Sequence, residues 1–413
     1  MLKIGEYVLE ELLGKGIFAE VYLTSRVGDS KKYATKKLDR VTIDKCEAKR
    51  YLGNEITILK FLNHPNIVKL QDLKKTKNHY FLVMEYCNGG NLLEAFEKYK
   101  EINKTAFPEE LVQHFMRQII DAFKYIHEKK IIHRNVELTN ILLHYENEED
   151  KKNFNLMKAQ VKIIDFLFSC VINKSGLQYT VLGTPLNMDP LILQKLNSST
   201  NKTRQLGYNE MADIWSIGTI CYEMLIGKSA FDAEDMDDLV QKVESGSYSI
   251  PTSMSYEIIS FLNGMLQYEA KNRLSAEQLS RHDFLTKQVS QFKKIDLTKI
   301  PNKAHGDSVE MNAKNTNTLV KNSTIWSIYE PQSQNTLISL MGSQFIKPID
   351  KAEEESFKDK NKKSILQLSS SGIPDNPTNL KVTGMTQEEL DNMKKEVKSS
   401  GLLFDGDNED LFG

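Results

Sequence analysis

The sequence has few of the residues from which several classes of protein are built. Only four of its 413 residues are cysteines, and they lie far apart, without the spacing of a metal site or a disulfide framework. No apolar run approaches the ~18 residues of a membrane span, and the N-terminus lacks the apolar core of a signal peptide. A net charge of −2 at pH 7 gives no general attraction to nucleic acid or to acidic membranes. We therefore expect a cytoplasmic protein with reduced thiols, no transmembrane segment and no nucleic-acid partner.

The composition changes near residue 285. From Glu6 to about Leu285, apolar runs alternate with amphipathic stretches, as in a folded domain. From Thr286 onward the chain is rich in Lys, Asn, Ser, Asp and Glu, and it buries too little apolar surface to offset the entropy of ordering. We predict a folded domain over residues 6–285 and a mostly disordered tail over residues 286–413. Three apolar segments of the tail are either docking segments or chance: 323–331, 337–349 and 400–413.

Hydrophobic periodicity predicts an α+β fold with two lobes. Residues 1–90 predict a small, mainly antiparallel β lobe with one main helix near residues 47–62. Beyond Asn91 the apolar residues recur at three and four, most clearly over residues 110–130, which predicts a larger helical lobe. The polar stretch between Leu143 and Val161 predicts a long exposed loop.

A glycine-rich turn between two predicted strands is the first candidate for chemistry. Glycines such as Gly14 and Gly16 let backbone amides approach phosphates. Alone the turn is weak evidence, because many hairpins have two glycines and Ala19 stands where a third would be. Lys36 follows on a strand and Glu55 lies mid-helix, a spacing that lets them pair under the turn. A solvated surface pair is the alternative.

Three further motifs follow in a fixed order: His-Arg-Asn at 133–135 with Asn140, Asp-Phe-Leu at 165–167, and Asp-Ile-Trp-Ser-Ile-Gly at 213–218. With this order and spacing, residues 6–285 resemble a eukaryotic serine/threonine protein kinase domain. Residues 82–92, the alanine at the third glycine position, the long loop after Leu143 and residues 261–275 are most similar to the autophagy-initiating kinases.

The resemblance implies that the domain binds ATP and Mg²⁺. Lys36 would hold the α and β phosphates, and Glu55 would orient it. Asn140 and Asp165 would bind the metal. The other positions that match the nucleotide pocket are Leu13, Gly14, Gly16, Val21, Ala34, Met84, Glu85, Cys87 and Leu142. Besides ATP, the implied partners are a protein substrate or a partner kinase.

The catalytic loop departs from the family pattern, His-Arg-Asp-Leu-Lys-x-x-Asn, at two charged positions. Asn135 replaces the aspartate, and a neutral amide has no basic site near pH 7. Losing a positioned base costs ~10² to 10⁴ in rate. Glu137 replaces the lysine, which sets an anion beside the transferred phosphoryl group, a repulsion of about 3 kcal/mol at ~5 Å and an effective dielectric near ~20. Because phosphoryl transfer is largely dissociative, Asn135 alone does not exclude activity.

Two more departures lie downstream. Leu167 stands where the family has a glycine, and a branched side chain resists the backbone angles open to glycine. Met188-Asp189-Pro190-Leu191 replaces Ala-Pro-Glu, so Arg273 lacks its usual glutamate partner, and either Asp189 or solvent takes that place.

Together these observations predict a pseudokinase that binds ATP and acts as a scaffold or an allosteric partner of an active kinase. A serine/threonine kinase with low turnover is the alternative, supported by the intact Lys36, Glu55, Asn140 and Asp165. A third possibility is a docking protein that binds no nucleotide.

Overall fold

A computed structural model describes residues 2–16, 19–45, 48–172, 177–197, 207–293 and 308–313. Within these ranges the chain forms two compact units, one of residues up to 45 together with 71–86, the other of residues 48–70 and those from 87 onward. The strands are β1 Leu2–Ile4, β2 Tyr7–Lys15, β3 Ala19–Arg26, β4 Lys32–Asp39, β5 Leu70–Lys75, β6 His79–Glu85, β7 Ile131–Ile132, β8 Ile141–His144, β9 Gln160–Ile163, β10 Cys170–Val171, β11 Ser247–Pro251 and β12 Ser308–Asn312. The helices are α1 Arg40–Lys45, α2 Ala48–Phe61, α3 Leu92–Asn103, α4 Glu109–Glu128, α5 Glu148–Lys152, α6 Pro190–Asn197, α7 Met211–Ile226, α8 Met236–Ser245, α9 Tyr256–Met265, α10 Ala276–Ser280 and α11 Asp283–Thr286.

The first unit is a six-stranded sheet in the order β1-β2-β3-β4-β6-β5. β2, β3, β4 and β6 are antiparallel neighbours. Alternating residues point to opposite faces of a strand, and on one face the buried Tyr7, Tyr33 and Val83 form a cluster. The rings of Tyr7 and Tyr33 meet edge to face at 5.8 Å. This packing fixes the register of the strands that carry the predicted nucleotide residues on the other face.

The second unit is mainly helical. α4 buries the apolar residues that recur at three and four along it, as its sequence predicts. α7 is buried almost all round, and its first turn places Asp213 under the loop that follows β7. In the described part of the chain no helix is both long and apolar enough to cross a membrane. The predicted α+β fold, with an antiparallel sheet and a larger helical part, is confirmed.

The stretch between β8 and β9 is more ordered than the sequence suggested. Asn147 caps α5 by accepting a hydrogen bond from the Glu149 backbone N–H at 2.8 Å. A 3₁₀ turn at Leu156–Lys158 follows, and Leu156 is buried. The predicted long loop therefore contains a capped helix and buried apolar residues, among them Leu156.

The polar tail also contributes one strand. β12 pairs with β11 in antiparallel register, from Ser247 opposite Asn312 to Pro251 opposite Ser308. The three apolar tail segments named above and most other residues of the tail lie outside the described ranges.

Candidate active site

Four predicted nucleotide residues lie on one face of the sheet of the first unit. The register pairs Val21 with Lys36 and Ala34 with Met84. Ala34 and Lys36 are two residues apart on β4, so the four side chains leave the sheet on the same side. Lys36 is 5% exposed, whereas the other three are only partly buried. This face combines one ammonium with partly open apolar side chains, a suitable surface for a flat ring and phosphates.

The glycine-rich turn lies at the end of the same face. Gly14 is paired with Val21, and the Gly16 N–H donates to the Ala19 carbonyl at 2.7 Å. Leu13, just before the turn, and Glu85, at the end of β6, are partly buried. The two residues between Gly16 and Ala19 lie outside the described ranges.

The remaining nucleotide residues belong to the second unit. Glu55 on α2 is 1% exposed and Cys87 is 8% exposed. Leu142 on β8 is partly buried and forms a bridge with Asn91. Because Lys36 and Glu55 lie in different units, their ion pair stays a prediction.

The backbone of the catalytic loop is held by hydrogen bonds to Asp213. The carboxylate accepts the backbone N–H of His133 at 2.9 Å and that of Arg134 at 2.8 Å. The ring of His127 adds a hydrogen bond of 2.9 Å. Burial alone would raise the pKa of Asp213, but the hydrogen bond and charge of His127, with those of His133, hold it below its ordinary value. The loop is therefore positioned by a residue outside it.

The two predicted metal ligands are linked through Asn135. Its side-chain Nδ2 donates to the Asp165 carboxylate at 3.4 Å, and its carbonyl accepts from Asn140 Nδ2 at 3.0 Å. All three residues are at least nine-tenths buried. Asp165 has a positive φ of 63°.

These residues suit a magnesium ion. Since Asn140 uses its Nδ2 for hydrogen bonds to the Asn135 carbonyl and to Glu137, its Oδ1 can face a cation. The Asp165 carboxylate supplies a second oxygen, and Mg²⁺ in phosphate sites takes one or two carboxylates and completes its shell with waters and phosphates. Asn140 and Asp165 would hold the metal, which would supply charge neutralisation to the phosphates.

Glu137 is enclosed by hydrogen-bond donors. Its carboxylate accepts from the hydroxyls of Thr184 at 2.6 Å and Thr139 at 2.7 Å, and from Asn140 Nδ2 at 3.2 Å. Glu137 is only 6% exposed. Burial raises the pKa of Glu137, and the two threonine hydroxyls oppose that rise. The sequence predicted an anion at this position but not the two threonine hydroxyls that bond to it. Of these, only the Thr139 hydroxyl could have been anticipated, because Thr139 lies two residues from Glu137.

Arg273 has its partner in Asp189. Nη1 lies 2.5 Å from Asp189 Oδ2 and 2.7 Å from the Met211 carbonyl. Nε and Nη2 donate to the carbonyls of Gln267 and Tyr268 at 2.7 and 3.1 Å. The guanidinium side chain is 0% exposed, and Asp189 takes the place left open in the sequence.

Leu167 is accommodated without positive φ, which in this segment occurs at Asp165. Leu167 is buried, and the preceding Phe166 packs its ring against His133 at 4.9 Å. The backbone at Leu167 therefore takes angles that a branched side chain adopts without strain.

Similarity to known proteins covers most of the folded part of the chain. The protein kinase domain family matches residues 7–285. Serine/threonine-protein kinase atg1 of Dictyostelium discoideum is 30% identical over 290 residues, which cover 69% of this chain and 40% of that protein. Serine/threonine-protein kinase ULK1 of Homo sapiens is 32% identical over 68% of this chain and 25% of its own length. Serine/threonine-protein kinase unc-51 of Caenorhabditis elegans is 34% identical over 68% of this chain and 31% of its own length. This chain thus spans less than half of each relative.

Proposed function

The chain belongs to the protein kinase domain family, and on that premise we propose that it binds ATP and Mg²⁺ but transfers phosphate poorly. It would act by its shape, as a scaffold or as an allosteric partner of an active kinase. The resemblance to the autophagy-initiating kinases supports a place in signalling of that type. The proposed location is cytoplasmic. Each of these roles is a proposal for this chain.

The observation that carries the proposal is the chemistry of residues 135 and 137. The Asn135 amide donates a hydrogen bond to Asp165 and has no basic atom to take a proton from a substrate hydroxyl. The Glu137 carboxylate is held among Thr139, Thr184 and Asn140. No cation at position 137 is present to neutralise charge on a phosphoryl group, and an ionised carboxylate there would oppose it.

ATP binding is supported by residues of each unit. Asn140 and Asp165 provide two oxygens that suit Mg²⁺. Lys36 lies on the sheet face with Val21 and Ala34, where it would neutralise the α and β phosphates. None of these residues depends on a base at position 135.

A serine/threonine kinase of low turnover is the second candidate. It is favoured by the hydrogen bond between Asn135 Nδ2 and Asp165, which places the amide beside the predicted metal ligand. From there Asn135 would still orient a substrate hydroxyl, although it would not accept the proton.

Phosphate transfer separates the two candidates. The purified full chain, free of other kinases, is incubated with labelled ATP, Mg²⁺ and a generic protein substrate. Asn135→Asp/Glu137→Lys serves as the positive comparison and Asp165→Ala as the negative one. A wild-type rate that is lost in Asp165→Ala and lies within ~10³ of the rate of ordinary kinases would replace the first candidate by the second.

A further inference from the structure

The strand β11 has an unusual partner. In the part of the chain that the structure describes, β11 belongs to a sheet of two strands, and the other is β12 from the polar tail. Without β12, the backbone groups of β11 on that side would form an open strand edge, which readily takes an added strand. The tail segment therefore occupies a position where strand addition is expected.

The segment is held beyond the ladder itself. The Ala313 N–H donates to the Gly246 carbonyl at 2.7 Å, and the Ala313 carbonyl accepts from the Tyr268 N–H at 3.0 Å. Ala313 thus connects the start of β11 to the loop that follows α9. Both bonds use backbone atoms, so they specify an extended chain at this place rather than a particular side chain.

Two side chains of the segment are buried. Met311 is 8% exposed and Ala313 is 2% exposed. The register places Met311 opposite Tyr248, a residue that is 3% exposed and packs edge-on against Tyr222 at 5.8 Å. Residues two apart along an extended segment share a face. The side chains of Met311 and Ala313, which form the pattern Met-x-Ala, therefore pack on an apolar, aromatic surface of the second unit.

We propose that β11, with Gly246, Tyr248 and Tyr268, is a docking site for an extended peptide, and that Ser308–Ala313 of the same chain is its resident ligand. Backbone pairing supplies affinity, and the burial of Met311 and Ala313 supplies selectivity. The site does not rest on the proposed catalytic defect or on ATP binding. A partner with a Met-x-Ala strand would reach it only by displacing the resident segment.

The test uses the full chain and a labelled peptide of residues 306–314 as the probe. Met311→Asp puts a charge where the side chain is buried, which should release the resident segment and free β11. Met311→Leu keeps the apolar contact and should retain the segment. Met385→Asp makes the same chemical change at a methionine far along the tail and serves as the matched control.

Fluorescence anisotropy then measures access to the site. A tethered segment acts at an effective concentration in the ~mM range, so the Met311→Asp chain should bind the peptide at least about tenfold more tightly than the wild type. Met311→Leu and Met385→Asp should behave as the wild type. Equal binding by the wild type and Met311→Asp would overturn the proposal.

Amide hydrogen exchange gives a second readout that does not need the peptide. The Tyr268 N–H should lose protection in Met311→Asp and keep it in the two other variants. Unchanged protection at Tyr268 would overturn the proposal. A wild-type dimer that Met311→Asp converts to a monomer would also overturn it, because the segment would then come from a second copy.

Discussion

The hydroxyl of Thr184 donates a hydrogen bond of 2.6 Å to the carboxylate of Glu137. This bond ties the segment that carries Thr184 to the catalytic loop through an acid, at the position where the family pattern has a lysine. The consequences are measurable in catalysis, in nucleotide binding and in the dependence of stability on pH.

Catalysis should be slow and recoverable. We expect the wild-type chain to transfer phosphate at least ~10³ below the ~1 to 100 per second of ordinary kinases. Asn135→Asp restores a proton acceptor, and Glu137→Lys restores a cation beside the transferred group. The double variant should gain more than the sum of the single gains, because both groups act on one transition state. Initial rates of the four chains, with Asp165→Ala as background, test this.

Nucleotide binding should survive these changes. ATP with Mg²⁺ should raise the melting temperature of the wild type, since a ligand that binds only the folded state adds about 2.7 kcal/mol at a concentration of ~100 Kd. Lys36→Ala and Asp165→Ala should lose the shift. Lys37→Ala is the matched control, because the Lys37 side chain lies on the other face of β4 and donates a hydrogen bond to Glu20. An unchanged melting curve for the wild type with saturating nucleotide would favour the docking protein that binds none.

Stability should depend on pH through Glu137. Burial raises the pKa of Glu137 in the folded chain, so folding favours the protonated acid. The stabilisation is full below the unfolded-state pKa and is lost as pH rises through the folded-state pKa. The glutamine of Glu137→Gln does not titrate. As pH rises, the free energy of unfolding of the wild type should therefore fall relative to that of Glu137→Gln. Urea unfolding between about pH 4 and 8 measures the difference.

Glu277 provides a control of opposite sign. A hydrogen bond from Lys124 lowers the pKa of this exposed carboxylate, so its contribution is lost as pH falls. As pH rises, the free energy of unfolding of Glu277→Gln should therefore fall relative to that of the wild type. Parallel curves for the two glutamine variants would contradict the assignment for Glu137.

The ion pair of Asp189 and Arg273 should be essential for the fold. Asp189→Ala leaves the guanidinium buried without its anion, which should cost ~3–5 kcal/mol of unfolding free energy. Lys32→Ala removes a surface pair with Glu10 and should change stability by less than ~1 kcal/mol. Chemical denaturation compares the two, and similar small losses would show that solvent replaces Asp189.

Nested truncations should locate the end of the folded part. The composition predicts a folded domain that ends at residue 285, and the pairing of β12 with β11 sets a later limit. A chain that ends after Ala313 should keep the wild-type melting temperature, whereas one that ends after Lys293 should melt lower, because β11 loses its partner. Equal melting temperatures for the two truncated chains would show that the folded part ends at residue 293 or earlier.

Much of the fold followed from local sequence. The periodicity that predicted a helix over residues 110–130 agrees with α4, and the strand patterns agree with β2, β3 and β4. The strand at Ser308–Asn312 was not predicted, because its pairing depends on β11 some sixty residues earlier and its own composition is polar. Long-range pairing of this kind leaves little trace in a short segment.

The site was predictable to a similar depth. Order and spacing placed Asn135, Asn140 and Asp165, which the structure brings together. Which partner Arg273 would take, and that the Thr184 hydroxyl would reach Glu137, depend on the path of the chain after residue 182. Those contacts are set by tertiary packing rather than by the residues that make them.

Asp213 holds the catalytic loop by the backbone amides of His133 and Arg134, so the path of the loop there does not depend on the side chain at 135. This has a consequence at the level of codons. In the standard genetic code asparagine and aspartate differ by a single first-position nucleotide, and so do glutamate and lysine. Because Asp213 positions the loop through these backbone amides, each charged residue of the family pattern lies one nucleotide change away and requires no change in that contact.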